Sequence, residues 1–145
     1  MLRFQENVPL APPHASPLRQ TVLVVDDNTK DLDSFTLLLE GMGYSVEAFK
    51  SHRQAEARLE HGYFALIILS QGSEAIDARR LLRLILRRSR HAPVVVVTRF
   101  VEIEYYIEAM QLGAAEYVEK PLSSAQFQRL VVKYCSPWQF QVAEP

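Results

Sequence analysis

The sequence predicts an α/β fold: a doubly wound, five-stranded parallel sheet with helices on both faces, built as five βα units. Three observations carry that expectation. Five short segments rich in Val, Ile and Leu alternate with five amphipathic segments. The strands TVLVV, FALIIL and VVVVT are apolar on successive residues, as strands buried on both faces must be. Glycines and prolines fall at the junctions between segments, where they punctuate the chain. Right-handed crossovers between parallel strands then place helices on both faces.

TVLVV, residues 21–25, is the first strand. Leu32, Phe35, Leu38, Leu39 and Met42 recur at helical spacing, which predicts a helix over 31–42. Asn28 or Thr29 caps it, and Gly41 and Gly43 end it. YSVEAF, 44–49, is the second strand. Ser51 caps a short helix that buries Ala55 and Leu59 and closes at His61-Gly62. FALIIL, 64–69, is the third strand, with Ser70 after its end. A helix within 74–88 turns Ala78, Leu81, Leu82 and Ile85 inward. Pro93 introduces the fourth strand, VVVVT, and a helix over 101–112 gathers Ile103, Ile107 and Met110 on one side before Gly113. EYVEK, 116–120, is the fifth strand, and Ser123 or Ser124 caps a last helix through Tyr134.

The 145 residues suit one domain, spanning 20–135. Four of the eight prolines fall in the first twenty residues, so 1–19 is expected to form an extended arm. Residues 136–145, SPWQFQVAEP, lack periodicity and form a tail or the start of a linker. A net charge of −1 gives no global attraction to nucleic acid or membrane. No apolar run is long enough to span a bilayer, and the N-terminus lacks a signal-peptide core. One cysteine, Cys135, fits a reducing cytoplasm. The histidines at 14, 52, 61 and 91 match no metal-ligand spacing and read as surface or loop residues.

In such sheets the working site lies at the carboxyl ends of the strands. Those ends carry Asp26 and Asp27, Ser70, Thr98, and Lys120. The acid pair can hold a hard cation, Thr98 can donate to an oxygen, and Lys120 can pair with a carboxylate or phosphoryl group. Each has a plain alternative: acids favour a helix N-terminus, threonine suits a strand, and lysine suits a solvated end. Their joint occurrence at four strand ends favours a site.

VLVVDDN, VVVVT and GAAEYVEKP together resemble the receiver domain of two-component response regulators, over about residues 21–135. The spacing agrees as well, with 28 residues from Ser70 to Thr98 and 22 from Thr98 to Lys120. The resemblance implies flavodoxin-like strand order and a phosphoacceptor aspartate at the end of the third strand. It implies a magnesium ion on Asp26 and Asp27, a switch coupling Thr98 to Tyr117, and a conserved-type Lys120 before Pro121, whose peptide bond is usually cis.

The sequence departs from this pattern at the acceptor, where Ser70 stands for the aspartate. A carboxylate attacks as an anion; a serine hydroxyl is neutral and needs a base. The loss also removes a magnesium ligand, so Asp26 and Asp27 would hold the ion weakly. Arg99 follows the switch threonine, where the family has a small residue. It folds over the acid pair or reaches to solvent, two readings the sequence weighs equally. Lys120, without its usual partner, is expected to pair with Asp26 or Asp27.

The expected function is that of an atypical receiver, a pseudo-receiver in phosphorelay signalling. It acts through protein contacts with a histidine kinase, an output protein or a second copy. The fourth helix, fifth strand and fifth helix are the expected partner face, bearing Tyr105 and Tyr106. The alternatives are phosphorylation of Ser70 or another acceptor, and a metal-dependent phosphatase using Asp26 or Asp27. The arginines at 79, 80, 83, 87, 88 and 90 read as a solvated helix face rather than a nucleic-acid or acidic-partner site.

Overall fold

The computed structural model describes residues 20–72, 75–88 and 92–135. The arm at 1–19, the tail at 136–145, Arg90 and the side chain of Arg88 lie outside the described residues. The elements run β1 (Thr21–Val25), α1 (Thr29–Gly41), β2 (Ser45–Phe49), α2 (His52–Leu59), β3 (Leu66–Gln71), α3 (Ala75–Arg88), β4 (Val94–Thr98), α4 (Ile103–Leu112), β5 (Glu116–Glu119) and α5 (Ser124–Tyr134). The sheet is parallel throughout, in the order β2-β1-β3-β4-β5. The order reverses between β1 and β3, which opens a crevice at their carboxyl ends.

Alternation within the three central strands divides the core. Val22, Val24, Leu66, Ile68, Val95 and Val97 face α1 and α5, where Phe35 and Phe127 stack at 4.7 Å. Leu23, Val25, Ile67, Leu69, Val94 and Val96 face α2, α3 and α4. β2 and β5 are edge strands and only partly buried, so the all-apolar pattern holds for the central three.

Local signals set the helix ends. The Asn28 side chain accepts from Asp31 N and caps α1. Ser51 caps α2, and Ser123 with Gln126 forms a capping box on α5. Gly113 ends α4 at φ 110°, a conformation that a Cβ disfavours.

One expectation is corrected. β3 runs to Gln71, so Ser70 lies inside the strand; the ladder to β4 continues through Ser70↔Val97 and Gln71↔Thr98. The Ile103–Ile107–Met110 side of α4 faces outward, with Ile103 66% exposed. The inner side of α4 is instead Ala109 with Glu108, which Arg79 and Arg83 grip from α3 at 2.6 and 2.5 Å.

Candidate functional site

Parallel strands bring Asp26, Ser70, Thr98 and Lys120 to one end of the sheet, and all four are buried. Ser70, Thr98 and Lys120 line an open cavity of about 580 Å³, together with Asp27, Asn28, Gln71, Gly72, Arg99, Glu102 and Tyr105, while Asp26 lies behind it.

Lys120 is the centre of the charge arrangement. Its Nζ donates to Asp26 Oδ2 at 2.8 Å, to Asp31 Oδ2 at 2.8 Å and to Ser70 Oγ at 3.4 Å. An ammonium has three donors, so each one has an oxygen. The Lys120–Pro121 peptide bond is cis. Asp26 has a partner on each oxygen: Oδ1 accepts from Asn28 N at 2.9 Å while Oδ2 holds Lys120. The expected pairing of Lys120 with Asp26 is present, and Asp31 joins it.

Arg99 reaches back across the cavity, but to a different acid. Its Nη2 donates to Asp31 Oδ2 at 2.7 Å, not to Asp26 or Asp27. Asp31, in the first turn of α1 and a quarter exposed, is more accessible to a β4–α4 loop residue than fully buried Asp26 is. Asp27 is exposed and its carboxylate lies against Gly72, where a Cβ would stand 2.5 Å from Oδ2. Among the described residues the site therefore gathers Asp26, Asp27, Asp31 and Glu102 with the cations Lys120 and Arg99.

The Thr98 hydroxyl turns onto its own loop. It accepts from Phe100 N at 3.2 Å and lies 3.1 Å from Phe100 O, with Gln71 O farther at 3.5 Å. Half-buried Tyr117 donates its hydroxyl to Gln71 Oε1 at 2.9 Å. Burial pushes the Tyr117 phenol above its ordinary pKa.

Three contributors to the site are not evident from the sequence. Asp31 read only as the first residue of the helix over 31–42; its place five residues after Asp26, in the first turn of the capped helix, was the available signal. Gln71 carried no signal. His52 read as a surface histidine, yet it is buried, and its Nε2 donates to Ser70 O at 3.0 Å. The ring fits there because His52 opens α2 against the end of β3. The arginine run is also more than a solvated face: Arg79 and Arg83 hold Glu108, Arg79 stacks over Tyr105 at 4.7 Å, and Arg80 meets Glu56 at 3.3 Å.

A family profile described as the response regulator receiver domain matches residues 22–132. The chain is 30% identical over 112 residues to the transcriptional regulatory protein ZraR of Escherichia coli, covering 77% of this chain and 25% of that protein. It is 30% identical over 132 residues to the signal transduction histidine-protein kinase BarA of Shigella flexneri, covering 90% of this chain and 14% of that protein. It thus spans about a quarter or less of these two relatives. Among solved structures, a CheY-like receiver domain protein from Methanospirillum hungatei superposes with TM-score 0.75 at 24% identity, covering 79% of this chain and 91% of that one. That likeness speaks for the fold.

Proposed function

The chain belongs to the response regulator receiver domain family, and on that premise we propose that it is a pseudo-receiver, a two-component signalling module that takes no phosphoryl group on aspartate and works through protein contacts. Receiver domains are signalling modules, typically without turnover of their own. The observation that carries the proposal is the commitment of Lys120. Its three donors are spent on Asp26, Asp31 and Ser70, and the acceptor position holds a neutral hydroxyl.

Two further features support it. A phosphoryl group entering beside Ser70 would have to take Lys120 from two carboxylates, and Ser70 Oγ has no carboxylate's charge with which to attack. The donor set also fits magnesium poorly. Each Asp26 oxygen already has a hydrogen-bond partner, Asp31 is neutralised by Lys120 and Arg99, and Asp27 and Glu102 are the exposed acids of the cavity. Magnesium needs near-octahedral oxygen ligation, and the Lys120 ammonium already stands between the Asp26, Asp31 and Ser70 oxygens. In this reading Lys120 and Arg99 supply internally the positive charge that a metal ion would bring.

Signalling then falls to a surface. Ile103, Tyr106, Ile107 and Met110 form an exposed apolar side of α4 beside the edge strand β5. We assign the partner-facing role to the α4–β5–α5 side, with a kinase, an output protein or a second copy as the partner. Direct nucleic-acid binding by α3 is disfavoured, because Arg79 and Arg83 are already paired to Glu108.

The test is incubation with acetyl phosphate and magnesium, followed by intact mass. No adduct is expected on the wild type. Ser70→Asp restores a carboxylate beside Lys120 and serves as the positive control. A covalent phosphoryl group on the wild-type chain, at Ser70 or elsewhere, sinks the proposal.

A further inference from the structure

Gln71 is the last residue of β3 and stands at a partition. On one side lies the cavity beside Ser70; on the other is a small apolar crevice under α4, lined by Leu82, Tyr105 and Ala109. The Gln71 backbone is held by the ladder to Thr98, so its side chain projects from a fixed point. That side chain accepts the Tyr117 hydroxyl at 2.9 Å. The Tyr117 ring then meets the Tyr106 ring edge-on, with centroids 5.6 Å apart and planes at 76°. Tyr106 is 43% exposed on the outer side of α4. An unbroken series of side-chain contacts thus runs from the strand end beside Ser70 to the surface of α4.

Each link has a physical reason. A phenol taken half out of water needs an acceptor for its hydroxyl, and Gln71 supplies one. An edge-on aromatic pair prefers this geometry over a loose one. Tyr117 sits on an edge strand, so a rotation about χ1 would carry its ring toward solvent and away from Tyr106. The hydrogen bond to Gln71 opposes that rotation.

We propose that Gln71 is a built-in latch: it holds Tyr117 inward and thereby positions Tyr106 and the exposed side of α4, without any covalent signal. This goes beyond the reading above and stands whether or not Ser70 is ever modified. Gln71 is a positioning residue for that surface.

The experiment uses the full chain labelled with 3-fluorotyrosine, with Tyr106 and Tyr117 resonances assigned by single Tyr→Phe variants. Hydrogen exchange of the α4 amides is measured alongside by mass spectrometry. Gln71→Met removes the acceptor at similar volume. It is expected to shift both the Tyr117 and Tyr106 fluorine resonances and to speed α4 exchange about fivefold, the effect of losing one ordinary hydrogen bond. Tyr117→Phe removes only the hydroxyl, keeps the packing, and is expected to speed α4 exchange equally. The double variant should add nothing to either single one. Gln71→Glu keeps an acceptor oxygen and should leave the Tyr106 resonance and α4 exchange near wild type. Unchanged α4 exchange in Tyr117→Phe, or additive effects in the double variant, overturns the latch.

Discussion

Replacing Lys120 by methionine tests the charge arrangement at the site most directly. The Lys120 side chain is 5% exposed and that of Asp26 is 1% exposed, so bulk water offers Asp26 little in place of the lost ammonium. Asp31 is less vulnerable: its side chain is 25% exposed and it keeps Arg99 at 2.7 Å. The cost therefore concentrates on Asp26, whose side chain, among the described residues, retains only the Asn28 amide. Stripping one partner from a buried pair costs about 3–5 kcal/mol. At roughly 4 °C per kcal/mol for a domain of this size, Tm should fall by about 10–20 °C. Asp26→Asn should cost less, about 1.5–3 kcal/mol, because the ammonium keeps Asp31 and Ser70 as acceptors. The double variant removes both charges, so its loss should fall short of the summed single losses by at least about 1 kcal/mol. Urea unfolding with an unchanged m-value measures all three. A Lys120→Met loss below about 1 kcal/mol is the value of an exposed pair and would refute the reasoning. So would strict additivity.

Ser123→Ala removes half of the capping box on α5 and should cost about 1 kcal/mol, read by the same urea midpoints; a neutral result would mean that solvent satisfies Gln126 N equally well. Hydrogen bonds from Lys133 and Tyr134 hold the Glu116 carboxyl below the usual range, so its contribution is complete above the unfolded value of about 4.3 and is lost as pH falls through the folded one. The stability gap between wild type and Glu116→Gln should therefore narrow between about pH 6 and pH 3, and thermal melts that keep a constant gap across that range would contradict it.

The fold was legible because its signals are local. TVLVV and VVVVT are apolar on successive residues, and only a strand covered on both faces tolerates that. Asn28, Ser51 and Ser123 announce their helices by capping chemistry that acts within three residues. The convergence of Asp26, Ser70, Thr98 and Lys120 was legible too, since a parallel sheet must gather its carboxyl ends at one edge. What stayed hidden depends on where side chains of different elements meet. The outward turn of Ile103, Ile107 and Met110 is one case: their spacing defines a helix side but not its direction. Ala109 and the grip of Arg79 and Arg83 on Glu108 decide that direction.

Asp31 shows the same limit at the site itself. Its acid in the first turn of α1 is a sufficient local explanation, so nothing in the sequence demanded a second role. Yet among the described residues Asp31 is the one acid that meets both Lys120 and Arg99. Ser70 removes one negative charge from this edge of the sheet relative to an aspartate, and Arg99 adds one positive charge. Asp31 absorbs both changes by accepting two cations on a single oxygen, Oδ2, while its backbone N–H stays on the Asn28 cap. On the proposed pseudo-receiver reading, the departures at Ser70 and Arg99 are one adjustment and not two. A Ser70→Asp variant that keeps Arg99 would seat a new carboxylate beside a Lys120 whose Asp31 partner is shared with the arginine. Lys120 could then turn from Asp31 to the new carboxylate at little cost, because Arg99 would remain to neutralise Asp31.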